Sequence, residues 1–593
     1  MLNSNTRLIV LLIIVGAAAY ANSFSGPFIF DDEGSILQNP YITHLWPLSK
    51  AMSADPQSPV AGRPVAILSL AINYAISRYA VWSYHAFNLL VHLLAGLTLY
   101  GTIRRTLHCD RLSENFGNHA ETLAWAAAVI WTVHPIQTES VTYIIQRTES
   151  MMGLFYLLTL YLAIRAMSSQ RPFIWSVLSV LCCGLGMATK EVMVTAPFLV
   201  LLYDRTFAAG SFRQALKKRR RLYAALAATW GTLILLMWSG PRSLTVGFSI
   251  GTVALDYAMN QSIVIMHYLR LVFWPTGLCL DYNLPIVKDW SKILPPLLAI
   301  LCMIALTLWG LIRNRSWAYL PAWSFVILFP TSSFIPIADL AFEHRMYLPL
   351  AGLTVLAVTA GYILLNRVTK RFLFVLKFGH RIGIISLTII ITALFLTTLR
   401  RNNDYRSAMS IWQSVLEVVP DNPVAHNNLG LALKSLDRVN EAIMHYQTAI
   451  KLNPGEAKAY NNLGIALKSL GRLDEAVNCY RNAILLEPNY VEAHNNLGNA
   501  LRLQGKFDEA VGNFRSALQL DPANADICLN LGLALQSQNK LDEAIDCFNQ
   551  AHRFRPDWAL PVELAEHLRK QLENYKTGLK AQNPGFKNEQ KTP

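Results

Sequence analysis

Apolar runs separated by short polar loops fill the first 400 positions of this chain, which is 593 residues long. A helix needs about 20 residues to cross a bilayer, and these runs predict about eleven membrane spans. The predicted spans are 8–24, 84–103, 120–134, 149–167, 173–189, 191–204, 222–239, 294–312, 317–331, 346–366 and 382–399. Two other apolar stretches, 64–77 and 258–275, are predicted to lie at the membrane interface or to re-enter the membrane.

The first apolar run admits a second interpretation. Residues 8–21 resemble the apolar core of a secretory signal peptide, and Ala19-Tyr20-Ala21 resembles its cleavage site. We favour an uncleaved span because many more spans follow it.

The last third of the chain has a period of 34 residues. The recurring residues are Pro420, Pro454, Pro488, Pro522 and Pro556, then Gly430, Gly464, Gly498 and Gly532, and the aromatic Tyr446, Tyr480, Phe514 and Phe548. This is the signature of tetratricopeptide (TPR) repeats: a small residue at the crossing of two helices, an aromatic wedge, and a proline that ends the second helix.

The sequence therefore predicts an all-α protein in two domains. A polytopic membrane helical bundle is expected over 1–400 and a TPR α-solenoid over 401–575. Four full repeats are expected at 421–556, with a partial repeat at 405–420 and a capping helix at 557–575. Residues 576–593 are expected to be disordered.

Composition supports a membrane protein and argues against nucleic acid as a partner. Apolar residues make up 53% of the chain and charged residues only 15%, against about 25% charged residues in soluble proteins. The net charge is +14, but residues 421–556 hold 13 Lys and Arg against 15 Asp and Glu. The positive excess therefore lies in the short loops between apolar runs.

These loop charges predict the orientation, because Lys and Arg accumulate on the cytoplasmic side of membrane proteins. With the N-terminus inside, 19 basic residues fall in short inside loops, including the cluster at 217–221. The first outer loop, 25–83, and the TPR domain are then outside. For this integral membrane protein, outside means the periplasm at a bacterial inner membrane, or the lumen of the endoplasmic reticulum.

Three acids, Asp31, Asp32 and Glu33, follow the first span closely. Adjacent carboxylates beside an apolar wall repel each other, and partial loss of water raises at least one pKa. That suits a general base that takes a proton from an acceptor hydroxyl, and equally the binding of a divalent cation (Mg²⁺ or Mn²⁺) or a cationic partner. The structural alternative is an N-cap for a helix beginning near Ser35.

Other polar residues recur near the membrane face, where a charge is costly and therefore indicates function. The cations Arg147, Lys190 and Arg345 suit a lipid-linked phosphate, although Lys190 and Glu191 can instead neutralise each other. The other active-site candidates are Arg63, His85, His134, Glu139, Glu191, Asp281, Glu343 and His344.

One asparagine occupies the same place in the first helix of each repeat: Asn428, Asn462, Asn496 and Asn530. First helices line the concave face of such solenoids, and carboxamides can pair with both the N–H and the C=O of an extended peptide. The array resembles the asparagine-lined repeats of the nucleocytoplasmic O-GlcNAc transferases, which hold polypeptide in this way. The alternative is that asparagine is merely tolerated on a solvated helix face.

Several short motifs precede the repeats in a defined order. They are Phe30-Asp31-Asp32, Asn39-Pro40, Arg63-Pro64, His134-Pro135 with Glu139, Lys190-Glu191, Tyr203-Asp204 and Glu343-His344-Arg345. Each is weak alone, but their order together with the repeats is specific. On these motifs the chain resembles the transmembrane and tetratricopeptide-repeat protein O-mannosyltransferases and their bacterial relatives, which are GT-C membrane glycosyltransferases.

The resemblance implies a hexosyltransferase that uses a polyprenyl-phosphate-linked sugar. It implies that Asp31 or Asp32 is the catalytic acid, that Arg345 holds the lipid phosphate, and that the repeats present a protein acceptor. The expected partners are thus a lipid-linked donor, a polypeptide and membrane lipids. The chain departs from the animal pattern at Gln146-Arg147-Thr148-Glu149, so mannose is an extrapolation.

Two other functions stay open on sequence alone. A non-catalytic, membrane-anchored scaffold would assemble an envelope complex through its repeats and would not need the acids. A transporter or ligase of lipid-linked glycans would need acids on both faces or a path through the membrane. Acidic residues are sparse in the inside loops, which counts against transport.

Overall fold

A computed structural model describes residues 3–55, 58–239, 254–333, 335–337, 339–371 and 373–582. The regular elements of these residues are helices, which confirms the all-α prediction. The chain divides into two compact units between Val419 and Pro420. The predicted disordered tail, 576–593, overlaps the last helix up to Gln582, and the rest of it lies outside the described residues.

The first unit is built from helices of very different lengths. They are α1 Ser4–Ala19, α2 Leu48–Ala51, α3 Pro64–Ser77, α4 Val81–Leu107, α5 Ser113–Phe116, α6 Ala120–Thr132, α7 Thr138–Thr142, α8 Arg147–Ser168, α9 Pro172–Met187, α10 Ala196–Asp204, α11 Phe212–Ala228, α12 Trp230–Ser239, α13 Ala254–Phe273, α14 Trp290–Ile312, α15 Tyr319–Leu328, α16 Pro349–Arg371, α17 Leu373–Asp404 and α18 Ala408–Val418. Three 3₁₀ turns also matter below: Pro135–Gln137, Glu191–Thr195 and Glu343–Met346.

Eight helical segments of the described residues are long and apolar enough to cross a membrane. They are Asn5–Ser23, Val81–Leu107, Ile144–Ser168, Glu191–Ala209, Phe212–Trp238, Trp290–Ile312, Pro349–Thr369 and Arg381–Asp404. The predicted spans 120–134, 173–189 and 317–331 correspond to the shorter helices α6, α9 and α15. The polytopic bundle is therefore confirmed, and the number of eleven spans stays a prediction.

Polar groups inside the bundle are joined by hydrogen bonds where helices approach closely. A Cβ on Gly96 of α4 would lie 2.6 Å from the Thr132 hydroxyl of α6. Beside this crossing, His92 bonds the Tyr347 hydroxyl through Nδ1 and the Thr132 carbonyl through Nε2, each at 2.9 Å. The Trp131 indole donates to the Tyr347 carbonyl at 2.9 Å. These bonds hold the turn before α16 against α4 and α6.

The second unit repeats one pair of packed helices and ends in a single long helix. The pairs are α19 Pro423–Ser435 with α20 Val439–Leu452, α21 Ala457–Ser469 with α22 Leu473–Leu486, α23 Val491–Leu503 with α24 Phe507–Leu520, and α25 Ala525–Ser537 with α26 Leu541–Phe554, followed by α27 Leu560–Gln582. This arrangement confirms the predicted TPR solenoid.

The periodic glycines and aromatic rings meet at the helix crossings. A Cβ on Gly464 would lie 2.6 Å from the fully buried Tyr480 ring, so a larger residue would push the ring away. The other three pairs have equivalent contacts. Successive first helices also pack more closely against one another than successive second helices do, which puts the first helices on the inner face of the array.

Candidate active site

Asp32 fastens the acidic loop to the turn before α8. Its side chain is fully buried, and its two carboxyl oxygens accept the N–H of Ile29 at 3.0 Å and the N–H of Ile145 at 2.8 Å. Burial raises the pKa of Asp32 to about 8, although these two bonds lower it. Because its oxygens are engaged in this way, Asp32 makes no cap bond to the helical turn Glu33–Leu37. Glu33 itself is exposed.

Asp31 is half-buried and lies against Tyr143. The Tyr143 hydroxyl accepts the Asp31 N–H at 2.9 Å. Burial raises the pKa of Asp31 to about 6, while Tyr143 and Arg63 lower it. At neutral pH the carboxyl group is therefore mostly ionised and still has a pKa close to the working pH, which is the condition for an efficient general base.

Phe30, directly before Asp31, has an unusual backbone conformation. Its φ is +47°, which is strained for a residue with a bulky side chain. Its ring meets the ring of Trp412 edge-on, with 5.3 Å between centroids. Trp412 belongs to α18. This contact holds the strained residue and, through it, the position of Asp31.

The basic residues Lys190 and Arg63 each have an acidic partner that is distant in sequence. Lys190 forms an ion pair with Glu149, and both side chains are almost fully buried. Arg63 forms an ion pair with Glu191 at 3.5 Å. Neighbouring Lys190 and Glu191 therefore have separate partners in the fold.

Arg147 is fully buried, and its guanidinium is directed at protein groups. It donates to the Asn73 side chain at 2.5 Å and to the Tyr84 carbonyl at 3.1 Å. The rings of Tyr84 and Phe87 lie 5.4 and 4.9 Å from its Cζ atom. These contacts tie the start of α8 to α3 and α4.

Arg345 is buried as well, and its guanidinium bonds two backbone carbonyl groups. Its two terminal nitrogens donate to the carbonyl groups of Leu340 at 2.8 Å and Asp339 at 2.9 Å. Within the described residues it forms no ion pair with a carboxylate, so neutral acceptors orient a full positive charge.

Glu139 and His344 form a close pair. One Glu139 oxygen bonds Nδ1 of His344 at 2.6 Å, and the other accepts the His344 N–H at 2.9 Å. Burial raises the pKa of Glu139 to about 7 and lowers that of His344 well below its usual value. A neutral His344 then donates from Nδ1, and its Nε2 is an acceptor without a hydrogen-bond partner among the described residues.

These groups share one region of the first unit, because their charges act on one another. Besides burial, Arg63 lowers the pKa of Asp31 and Glu139 raises it. Besides burial, Lys190, Arg345 and Arg63 lower the pKa of His344. The fold thus brings together candidates from the first loop, the α6–α8 connection, the α9–α10 turn and the segment before α16.

Glu343 lies beside this region in a network that the sequence did not predict. It accepts the Cys279 N–H at 2.7 Å and the Tyr282 hydroxyl at 2.9 Å. Arg401 lies 3.8 Å away and also pairs with Asp404 at 2.8 Å. The only sequence signal for Arg401 is the cluster of polar residues at the end of the last span.

The remaining candidates bond to the backbone. His85 bonds the Gly26 carbonyl at 2.9 Å. His134 accepts the Ile136 N–H at 3.2 Å and bonds the Val272 carbonyl at 3.0 Å. Asp281 accepts the Asn283 N–H at 2.8 Å. Among the described residues, no group of three or more His, Cys, Asp or Glu is arranged to hold a metal ion.

The repeat asparagines form a ladder across the first helices. Asn462 donates to Asn427 at 2.9 Å, Asn496 donates to Asn461 at 3.0 Å, and Asn530 donates to Asn495 at 2.9 Å. Each bond joins one repeat to the preceding one and uses one N–H of the donor. The ladder therefore orients the carboxamides and leaves hydrogen-bonding groups on them.

Comparisons with known proteins agree on the repeats. The TPR repeat model matches 433–471, 466–502 and 498–539, and the tetratricopeptide repeat model matches 525–557. The crystal structure of the MamA protein is 25% identical, covers 26% of this chain and 86% of that chain, and has a TM-score of 0.24. The TPR protein YrrB is 22% identical over 32% of this chain and 91% of that chain, with a TM-score of 0.25.

Curated relatives match about three quarters of the chain. The protein O-mannosyl-transferase F38B6.6 of Caenorhabditis elegans is 26% identical over 74% of this chain and 62% of that protein. The protein O-mannosyl-transferase TMTC3 of Mus musculus is 24% identical over 75% and 51%, and TMTC4 of Mus musculus is 26% identical over 73% and 64%. The chain thus spans only about half to two thirds of the length of these relatives. The chain is thus similar, over about three quarters of its length, to proteins named protein O-mannosyl-transferases, and it carries the TPR repeats that the family models match.

Proposed function

We propose that this chain is a GT-C type membrane glycosyltransferase. It transfers a sugar, such as mannose, from a polyprenyl-phosphate carrier to a Ser or Thr hydroxyl of a protein. The observation that carries the proposal is Asp31, a half-buried carboxylate in a region that also holds the buried guanidinium of Arg345. The relatives, which are named protein O-mannosyl-transferases, support the choice of reaction.

Asp31 acts as the general base. The acceptor oxygen attacks the anomeric carbon while its proton passes to Asp31. The bond from that carbon to the phosphate oxygen breaks, and its electron pair leaves with the phosphate. Asp32 is a positioning residue, since its oxygens are bonded to the backbone of Ile29 and Ile145.

Arg345 binds the phosphate of the donor and stabilises it as a leaving group. Its guanidinium is oriented by two carbonyl groups and forms no ion pair within the described residues, and a fixed, desolvated cation stabilises the charge that develops as the phosphate leaves. Lys190 adds a second charge that Glu149 partly balances. Arg147 is a positioning residue because its donors are already engaged within the protein.

The TPR domain, 401–575, presents the protein acceptor to the membrane domain, 1–400. The asparagine ladder offers carboxamides that can bond to an extended peptide, which suits recognition of a backbone rather than of particular side chains. The loop charges support an outward orientation of Asp31 and the repeats. Protease protection of the repeats in sealed membrane vesicles tests this orientation.

The reaction is tested with full-length protein in nanodiscs, radiolabelled polyprenyl-phosphate mannose and a Ser/Thr-containing peptide. Asp31→Asn is expected to lower turnover about 10²- to 10⁴-fold, the usual contribution of a general base. Asp110→Asn, which changes an exposed acid elsewhere in the first unit, is the matched control. Unchanged turnover in Asp31→Asn at equal folded concentration would reject the assignment of the base.

A further inference from the structure

Three cations occupy one position in consecutive repeats. Lys434, Lys468 and Arg502 lie in the last turns of α19, α21 and α23. All three side chains are half-buried. We call these three residues the basic column. It ends at the uncharged Gln536 in the fourth repeat.

The basic column has no charge partners of its own. The ion pairs of the repeats are Arg438–Glu441, Arg472–Glu475, Arg481–Glu509, Arg515–Glu543 and Arg555–Asp526. Within the described residues, no side chain of the column forms an ion pair or a hydrogen bond. Nε of Arg502 is buried without a hydrogen-bond partner. The pKa of Lys468 is lowered by burial and by the like charges of Lys434 and Arg502.

Three half-buried cations beside one another lower the stability of the folded repeats, whereas a single cation at a helix end normally does not. A cation at a helix C-terminus interacts favourably with the helix dipole, which accounts for a basic residue in each last turn. It does not account for burial and for stacking three like charges, because both disfavour the charged form. An anionic ligand would remove this penalty.

The basic column lies beside the asparagine ladder. Each cation follows a ladder asparagine by seven residues, as Lys434 follows Asn427 and Arg502 follows Asn495. Seven residues are close to two helical turns, so the two residues project from the same side of the helix. The ladder joins neighbouring first helices, which form the inner face, and the column therefore borders that face.

We propose that the inner face of the repeats binds polypeptide segments rich in Asp and Glu. The carboxylates pair with the basic column while the peptide backbone bonds to the asparagine ladder. Carboxamides suit an extended backbone, which favours a polypeptide over an anionic lipid headgroup. The inference rests on the proposed function only in treating this polypeptide as the acceptor for glycosyl transfer.

Binding is measured by fluorescence anisotropy with full-length protein in phosphatidylcholine nanodiscs. One labelled peptide carries Asp and Glu around a central Thr, and the second replaces them with Asn and Gln. We expect about tenfold tighter binding of the acidic peptide at low salt, as three weak charge pairs would give, and loss of this preference at high salt. The triple variant Lys434→Met, Lys468→Met, Arg502→Gln is expected to bind both peptides equally.

The matched control removes three exposed cations outside the column, through Lys451→Met, Lys506→Met and Lys540→Met. It should keep the preference, and circular dichroism checks that both variants are folded. The single variant Lys468→Met, which also relieves repulsion in the column, should lose part of the preference. It serves as the test if the triple variant does not fold.

Equal affinity of the wild-type protein for both peptides would overturn the inference, and so would an undiminished preference in folded column variants. Binding of anionic vesicles instead of peptide would mean a lipid site and would overturn it too. The transfer assay separates this inference from the proposed function. Selective binding without transfer would count against the function alone, whereas transfer to both peptides with the same KM would count against the inference alone.

Discussion

Asp32→Asn tests whether this acid positions the loop. The two carboxyl oxygens of wild-type Asp32 accept two backbone N–H groups, from Ile29 and Ile145, at a fully buried site. An asparagine amide can accept only one of them and turns its own NH₂ group toward the other. An unsatisfied buried donor costs about 1–3 kcal/mol, so the variant should lose stability by that amount.

The assay compares Asp32→Asn with Asp31→Asn in the same nanodiscs, using thermal unfolding and turnover. Asp32→Asn should lower the melting temperature, whereas Asp31→Asn should hardly change it, because Asp31 is half-buried and accepts no backbone N–H bond. Wild-type stability together with abolished turnover in Asp32→Asn would refute the positioning role. It would indicate that Asp32 itself is the base.

Three further outcomes are expected. Because the base must be ionised, kcat/KM should rise with pH through about 6, the pKa to which burial raises Asp31, and then level off; a profile without this limb would contradict the role of Asp31. Gly464→Ala should destabilise the repeats by about 1–3 kcal/mol, because its methyl group would lie 2.6 Å from Tyr480; limited proteolysis of the TPR domain measures this, with the exposed Ser469→Ala as control. Glu139→Gln should destabilise the first unit by about 1–3 kcal/mol, because the two Glu139 oxygens bond Nδ1 and the backbone N–H of His344 and an amide has only one oxygen to accept with; thermal unfolding measures this, and an unchanged melting temperature would contradict it.

The repeats could be predicted from sequence because their contacts are local and periodic. Gly464 and Tyr480 meet within one repeat, and the same pair recurs in every other repeat. The membrane helices could be recognised for a similar reason, since a long run of apolar residues by itself indicates a helix surrounded by lipid or by other apolar helices. Their exact number is less accessible, because helices such as α6 and α15 are shorter than a full crossing.

The site was only partly predictable because its pairs join distant segments. The sequence indicated Lys190 and Glu139 as unusual charges at the membrane face, but it gave no means of finding their partners Glu149 and His344. Tyr143 was missed because one tyrosine in an apolar context gives no signal. Arg147 and Arg345 looked alike in sequence, and only the acceptors around each guanidinium distinguish them.

The contact between Phe30 and Trp412 makes the position of the acidic loop depend on α18, the last helix of the first unit. Phe30 is held at a positive φ that its side chain disfavours, so the loop needs support from outside itself. That support includes α18, the last helix before the chain continues into the repeats. Asp31 is thus positioned from two directions, by Tyr143 on the α7–α8 side and through Phe30 on the α18 side. A displacement of α18 would therefore reach the proposed base through one residue, Phe30.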